Sequence, residues 1–193
     1  MDKVKKFGKI SVNMRKGKSM FENQYQFRKA KKEEVSQMFH LILERMKWMS
    51  EKGIKQWIIG EYEDIYPESY YEEERQKGHL YVLQDVQNQD IVCGAVLLTE
   101  DSRWHDQKKA IYIHNFASKV GVKGVGKIFI ECVEQLAEEN HQDYVRLDSA
   151  KSNKALASYY ESQGYMSVGE CQEGPYQGIL REKKIEKAKN GNS

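Results

Sequence analysis

A chain of 193 residues, 39% of them apolar and with a formal net charge of +2, is the size of one domain with a sizeable core. No apolar run approaches membrane-spanning length, and the basic N-terminus lacks the apolar stretch and cleavage site of a signal peptide. Cys93, Cys132 and Cys171 are odd in number, widely spaced and set in apolar runs, and the histidines are scattered, so reduced core thiols of a cytoplasmic protein are expected, with no metal site.

Charge is unevenly spread: residues 1–20 carry +6 and residues 181–193 carry +3, leaving −7 between them. The first twenty residues read as a basic flexible tail without the aromatic rhythm of a nucleic-acid arm, residues 21–183 as the domain, and residues 184–193 as a charged tail. Met14 and Met20 are alternative starts.

In chain order, Tyr25–Ala30 reads as a first strand. Residues 33–52 form an amphipathic helix with Val35, Met38, Phe39, Ile42, Met46 and Met49 inward, ended by Gly53. Residues 54–59 make a partly apolar connection, and Pro67 starts a second helix to about Lys77. Between residues 61 and 74 lie Glu61, Glu63, Asp64, Glu68, Glu72, Glu73 and Glu74 with no Lys or Arg. Leu80–Asp85 and residues 91–99 pair as a hairpin, and residues 110–117 have the branched and aromatic content of a buried strand. Then comes Val120-Gly121-Val122-Lys123-Gly124-Val125-Gly126-Lys127, followed by one helical stripe of Val125, Ile128, Phe129, Cys132, Val133, Leu136 and Ala137. Asp143–Asp148 is a short strand, residues 153–163 a helix stopped at Gly164, and residues 165–171 and 176–181 the closing strands. The order βααβββαβαββ describes a mixed α/β sheet.

The glycine segment is the most informative. Its helix has no Ser, Thr, Asp or Asn to cap the first N–H groups, and Lys127 adds positive charge where the helix dipole disfavours it. A bound phosphate accounts for both features; a water-capped glycine turn is the plainer account. Three patterns fit, each missing one position. A Walker A loop, G-x-x-x-x-G-K from Gly121, meets Ile128 where a magnesium-holding hydroxyl belongs. The dinucleotide fingerprint meets Phe129 in place of its third glycine. Q/R-x-x-G-x-G/A has Gly121 in its first slot.

Downstream, Asn153, Leu156, Tyr160 and Gln163 share one helix face. With Gly164 and Tyr165 they follow N-x-x-A-x-x-x-Y-x-x-x-G-F/Y, with Leu156 in the alanine slot. On these two motifs, in order and separated by one strand, the chain resembles the GCN5-related N-acetyltransferase (GNAT) superfamily over roughly residues 25–182. The resemblance implies a mostly antiparallel sheet flanked by helices, whose two parallel cofactor strands splay to admit acetyl-CoA. By position, Phe116, Ala117 and Ser118 pair with pantetheine, backbone groups of Gly121, Val122, Lys123, Gly124, Val125, Gly126 and Lys127 hold the pyrophosphate, and Asn153 bonds the pantetheine arm. The plain alternative for Asn153 is a helix cap.

Tyr160 falls at the departing sulfur. A phenol near 10 protonating a thiolate near 8.5 runs uphill by about 2 kcal/mol, which favours a hydrogen-bond donor over a full proton donor. An alkylamine acceptor costs about 4.6 kcal/mol to find uncharged at pH 7. A base is therefore useful, and His114 and Glu100 are the best placed, His114 standing equally as a satisfied core histidine. If the acidic segment walls the acceptor pocket, it favours a cationic amine, with Trp57, Tyr62, Tyr66, Tyr70 and Tyr71 as aromatic faces; a solvated helix face is the plainer account. The expected activity is transfer of acetyl from acetyl-CoA to a primary amine by direct attack. A P-loop-like nucleotide-binding protein and a catalytically idle acetyl-CoA-binding module are the alternatives. A homodimer is compatible with this sequence.

Overall fold

The structure is a computed structural model that describes residues 24–54, Trp57 and residues 61–186. The basic N-terminal tail and the last seven residues lie outside the described residues. The elements are β1 (Tyr25–Lys29), a 3₁₀ turn running into α1 (Val35–Glu51), α2 (Glu61–Ile65), α3 (Glu68–Lys77), β2 (Leu80–Asp85), β3 (Ile91–Leu98), β4 (Ala110–Ser118), α4 (Val125–Glu139), β5 (Tyr144–Ala150), α5 (Lys154–Ser162), β6 (Met166–Glu173) and β7 (Tyr176–Lys184). The sequence order is reproduced with one addition, the five-residue α2. Too short and too acidic to show an apolar stripe, α2 is held by ring packing, with Tyr62 5.0 Å from Trp57 and 5.0 Å from Tyr66. Its acidic first turn complements the helix dipole.

The seven strands form one sheet in the order β1-β2-β3-β4-β5-β7-β6, antiparallel except for β4 and β5. Helix α1 packs on one face through Val35, Met38, Leu41, Ile42, Met46 and Met49. Leu41 takes an inward place that the sequence assigns to Phe39, which is only half-buried. Helix α4 covers the other face with the seven-residue burial stripe Val125, Phe129, Ile130, Cys132, Val133, Leu136 and Ala137. Of the three thiols, Cys93 and Cys132 are buried, but Cys171 is partly exposed on the edge strand β6.

Two irregularities position the site. First, β4 and β5 pair only at Ala110↔Tyr144, Ile111↔Val145 and Tyr112↔Arg146, then part. This is the splay that the resemblance implies. Second, β4 bulges: Asn115 and Phe116 together oppose Ala95, and Asn115 takes φ 51. The loop between β3 and β4 is fastened beneath the splay by Arg146. Its fully buried guanidinium donates to Asp106 and Glu182 at 2.7 Å each and lies 4.2 Å from the Trp104 ring.

Candidate functional site

A cavity of about 520 Å³ opens where β4 and β5 separate. Its floor is Ile113 and Leu147. Phe116, Ala150 and Tyr160 line one end, and Tyr62, Tyr66 and Tyr176 the other.

The α4 N-terminus, whose residues do not line this cavity, is uncapped as expected. Gly124 stands at φ 84 with no side-chain cap bond. Val122 and Lys127 donate within the loop, to Lys119 and Gly124, whereas the N–H groups of Lys123, Gly124, Val125 and Gly126 find no acceptor among the described residues. Space beside Gly121 and Gly124 is open, and a Cβ at Gly126 would stand 3.2 Å from the Tyr159 hydroxyl. Lys127 is exposed and 3.7 Å from Glu131, which offsets part of its unfavourable place. Ile128, the residue that a magnesium-dependent loop would need as a hydroxyl, packs against the core.

Ala117 and Ser118 stay in register with Gly94 and Cys93. The Ser118 carbonyl accepts from Arg45 Nε at 3.0 Å and from Arg45 Nη2, which also donates to Ser118 Oγ at 2.9 Å. Sequence reasoning missed Arg45, which reaches the end of β4 from α1. Its charge is half-buried and has no carboxylate partner among the described residues. Burial pulls its pKa down, and the nearby Cys93 pushes the other way. Asn153 caps α5, its Oδ1 accepting from Leu156 N at 3.1 Å.

Tyr160 is 4% exposed and lines the cavity, and its hydroxyl makes no hydrogen bond to another described residue. Burial above all, then the neighbouring Tyr159 and Asp148, pushes its phenol well above the ordinary value. This widens the mismatch with a thiolate and favours hydrogen-bond donation. Burial likewise pushes the Cys132 thiol up to about 12 and Cys93 well above its usual range, so neither is a ready nucleophile.

At the other end, Arg103 is the hub. It donates to Asp101 at 2.7 Å and to Asp148 at 2.8 Å, and lies 3.9 Å from Glu173. Asp148 also accepts from the Tyr176 hydroxyl at 2.5 Å. His114 Nε2 is 3.0 Å from Asp101, and Arg103 Nη2 is 3.2 Å from His114 Nδ1. An imidazole facing a carboxylate through Nε2 donates there and leaves Nδ1 as its lone pair. Burial works against the Asp101 charge, but bonds from His114 and Arg103 outweigh it and hold the carboxyl well below its usual range. Glu100 is exposed and does not line the cavity. Its neighbour Asp101 takes the contact with His114, one residue beyond the place where the sequence suggested a carboxylate.

Three of the seven carboxylates of the acidic segment are engaged elsewhere. Glu72 bonds Arg75 at 2.7 Å, Glu74 bonds Lys77 and His79 at 2.7 Å each, and Glu68 accepts from Ser36. Of those seven carboxylates, Glu61 alone lines the cavity; Asp148 and Glu173, from β5 and β6, join it. The aromatic faces are present as a ladder from Trp57 through Tyr62 and Tyr66 to Tyr70, with centroids 5.0 Å apart at each step. Tyr71 is fully buried behind them.

The splayed pair, the uncapped helix and the cavity between them define an acetyltransferase architecture. The sequence model of the acetyltransferase (GNAT) family matches residues 46–165, and the chain belongs to that family. It is 24% identical over 147 residues to the uncharacterised N-acetyltransferase YesJ of Bacillus subtilis (strain 168), covering 71% of this chain and 79% of YesJ. Among solved structures, a GNAT acetyltransferase from Listeria monocytogenes superposes with a TM-score of 0.68 at 19% identity, over 83% of this chain and 95% of its own. The PaiA N-acetyltransferase of Thermoplasma acidophilum, solved in complex with coenzyme A, gives 0.63 at 16% identity, over 83% and 98%. Family membership sets aside the P-loop alternative. Among the described residues, no helix is long and apolar enough to cross a membrane.

Proposed function

We propose that this protein transfers the acetyl group of acetyl-CoA to a primary amine of a cationic small molecule or peptide. The observation that carries the reading is the parting of β4 and β5 after Tyr112 and Arg146, directly at the cavity. A strand edge without a partner accepts an extended ligand bearing amide groups as it would another strand. The residues fit such a ligand. Phe116 and Ala117 offer main-chain groups to pantetheine, while the Ser118 carbonyl is taken by Arg45, and Asn153 at the α5 terminus is assigned to the pantetheine arm. The backbone from Gly121 to Lys127, with its run of unpaired N–H groups, suits a pyrophosphate. Arg45 replaces, from another helix, the side-chain cation that Gly121 cannot supply.

Acetyl-CoA supplies an activated acetyl thioester. Tyr160 donates a hydrogen bond toward the sulfur, where negative charge develops as the C–S bond breaks and the N–C bond forms. His114, oriented by Asp101, takes the proton that the amine loses once its Nδ1 parts from Arg103 Nη2, 3.2 Å away. Glu61, Asp148 and Glu173, against Arg103 and Lys151, leave the cavity lining with one negative charge in excess, and the rings of Tyr62 and Tyr66 give a cation a second surface. Buried, high-pKa thiols favour direct attack over a covalent enzyme intermediate.

Calorimetric titration with acetyl-CoA, followed by a thiol-release assay over a panel of amines, tests this reading. Micromolar binding and thiol release that tracks amine charge are expected. Binding without release from any amine would make the chain an idle module. Gly124→Val, which forces a branched residue to φ 84, should weaken acetyl-CoA at least about tenfold, or 1.4 kcal/mol. Unchanged affinity in the folded variant would remove the loop from the site.

A further inference from the structure

We infer that Asn115 is the positioning residue of the acceptor wall: its side-chain amide ties Tyr62 and Tyr70 to the cofactor strand and so sets which amines the cavity accepts. The identity of the ligand rests on the acetyltransferase reading above; the tie itself does not.

Asn115 Nδ2 donates to the Tyr62 hydroxyl at 2.6 Å, and Asn115 Oδ1 accepts from the Tyr70 hydroxyl at 3.2 Å. Tyr62 is in turn 2.8 Å, hydroxyl to hydroxyl, from the fully buried Tyr71. One amide therefore joins α2 and α3 to β4. The one amide serves both phenols at once, donating to Tyr62 through Nδ2 and accepting from Tyr70 through Oδ1. The backbone agrees. Asn115 occupies the bulge at φ 51, a left-handed conformation that asparagine tolerates better than most residues, and both Asn115 and Tyr62 line the cavity.

The tie matters because α2 cannot hold itself. A five-residue helix is far below the length that is stable alone, so its position comes from tertiary contacts. Those contacts are the ring ladder and the amide of Asn115. Glu61, Tyr62, Ile65 and Tyr66, all in or just after α2, form one side of the cavity. The wall that would meet the acceptor's cation is thus anchored on the residue next to Phe116, where pantetheine is proposed to pair. Donor and acceptor sides meet at this one side chain.

Asn115→Gly isolates the amide, since glycine keeps the positive φ without strain. Hydrogen exchange on the variant is expected to show the amides of residues 61–70 exchanging at least about tenfold faster, with β5 and α4 unchanged. With putrescine and n-butylamine as probe amines, KM for putrescine should rise about fivefold or more, while kcat, the acetyl-CoA dissociation constant and the butylamine KM stay within about twofold. Tyr70→Phe should add little to Asn115→Gly, because both remove the bond between the Tyr70 hydroxyl and Asn115 Oδ1. Unchanged exchange in residues 61–70, or equal KM shifts for the two amines, would overturn the proposal. If the wild type releases thiol with neither these amines nor any member of the wider amine panel, peptides included, the acetyltransferase reading fails, and the exchange data still decide the anchoring of the wall.

Discussion

The donor end of the cleft, from Phe116 to Gly126, is made largely of main chain: a strand edge left unpaired by β5 and a run of N–H groups at the start of α4. The acceptor end is made of side chains drawn from five separate places, with Tyr62 on α2, Arg103 in the loop after β3, Asp148 on β5, Glu173 on β6 and Tyr176 on β7. The first kind of site tolerates most substitutions except those that occupy space or alter φ at a glycine. The second depends on a few charges that must all be present, and its failure is electrostatic.

Arg103→Met is the most severe way to break that contrast. It leaves Asp101 and Asp148 without their shared cation in a mostly buried place, which should cost about 3 kcal/mol of stability. Acetyl-CoA affinity of the folded fraction should stay within about threefold, because no donor-side group is touched. The pH dependence has a definite sign. The carboxyl of Asp101 is held below its ordinary value by His114 and Arg103 after burial is overcome. Its stabilising contribution is therefore present above the ordinary aspartate range and is lost as pH falls through the lowered value. The gap between wild type and variant should be full at pH 7 and narrow below about pH 4, as acid neutralises the stranded Asp101 carboxylate. Urea melts of both proteins across that range check it; a gap that does not change with pH would mean that Arg103 acts by packing alone.

Tyr160→Phe probes the end of the cavity that Tyr160 lines with Phe116 and Ala150. The hydroxyl is buried and lines the cavity, and loss of a donor that acts as charge develops on sulfur should lower kcat about tenfold to a hundredfold. Binding of acetyl-CoA should be nearly unchanged, since the ring and its packing are retained. Single-turnover rates with a saturating amine decide the matter, and equal rates would take Tyr160 out of the chemistry.

The same contrast explains what was legible in the sequence. Gly121, Gly124 and Gly126, and the run from Asn153 to Tyr165, act through local geometry, so their spacing survives in the one-dimensional string. The missing cap at α4 was readable for the same reason. Arg103 and Asp101 were not, because their place is fixed by Arg146 gripping Asp106, a contact between distant segments with no local signature. Looking for a strand-end carboxylate found Glu100, one residue short of the one that bonds His114. Arg45 was hidden in the polar side of an amphipathic helix, and α2 had no periodicity to display. For the acidic run from Glu61 to Glu74 the plainer account of a helix face fits better: Glu61 alone reaches the cavity, whose other carboxylates come singly from β5 and β6.

Asn153 is the residue for which the local and the functional readings both remain measurable. Its Oδ1 accepts from Leu156 N at 3.1 Å, the bond of an N-cap, at the terminus of the helix that carries Tyr160. Replacing such a cap by alanine costs about 1 kcal/mol, so Asn153→Ala should lower the melting temperature by a few degrees. A cap-only role ends there, with the acetyl-CoA dissociation constant of the folded protein unchanged. If the same side chain also meets pantetheine, the constant rises by a further factor of about five to a hundred, the loss of one hydrogen bond to a buried polar group. Asn153→Asp separates the two effects more finely. A carboxylate caps a helix as well as an amide does and gains from the dipole, so stability should hold or rise, while any bond that needs the amide donor disappears. Stable protein with weakened cofactor binding assigns Asn153 to the donor site; stable protein with wild-type binding leaves it as a cap, and the donor end of the cleft is then a main-chain site almost throughout.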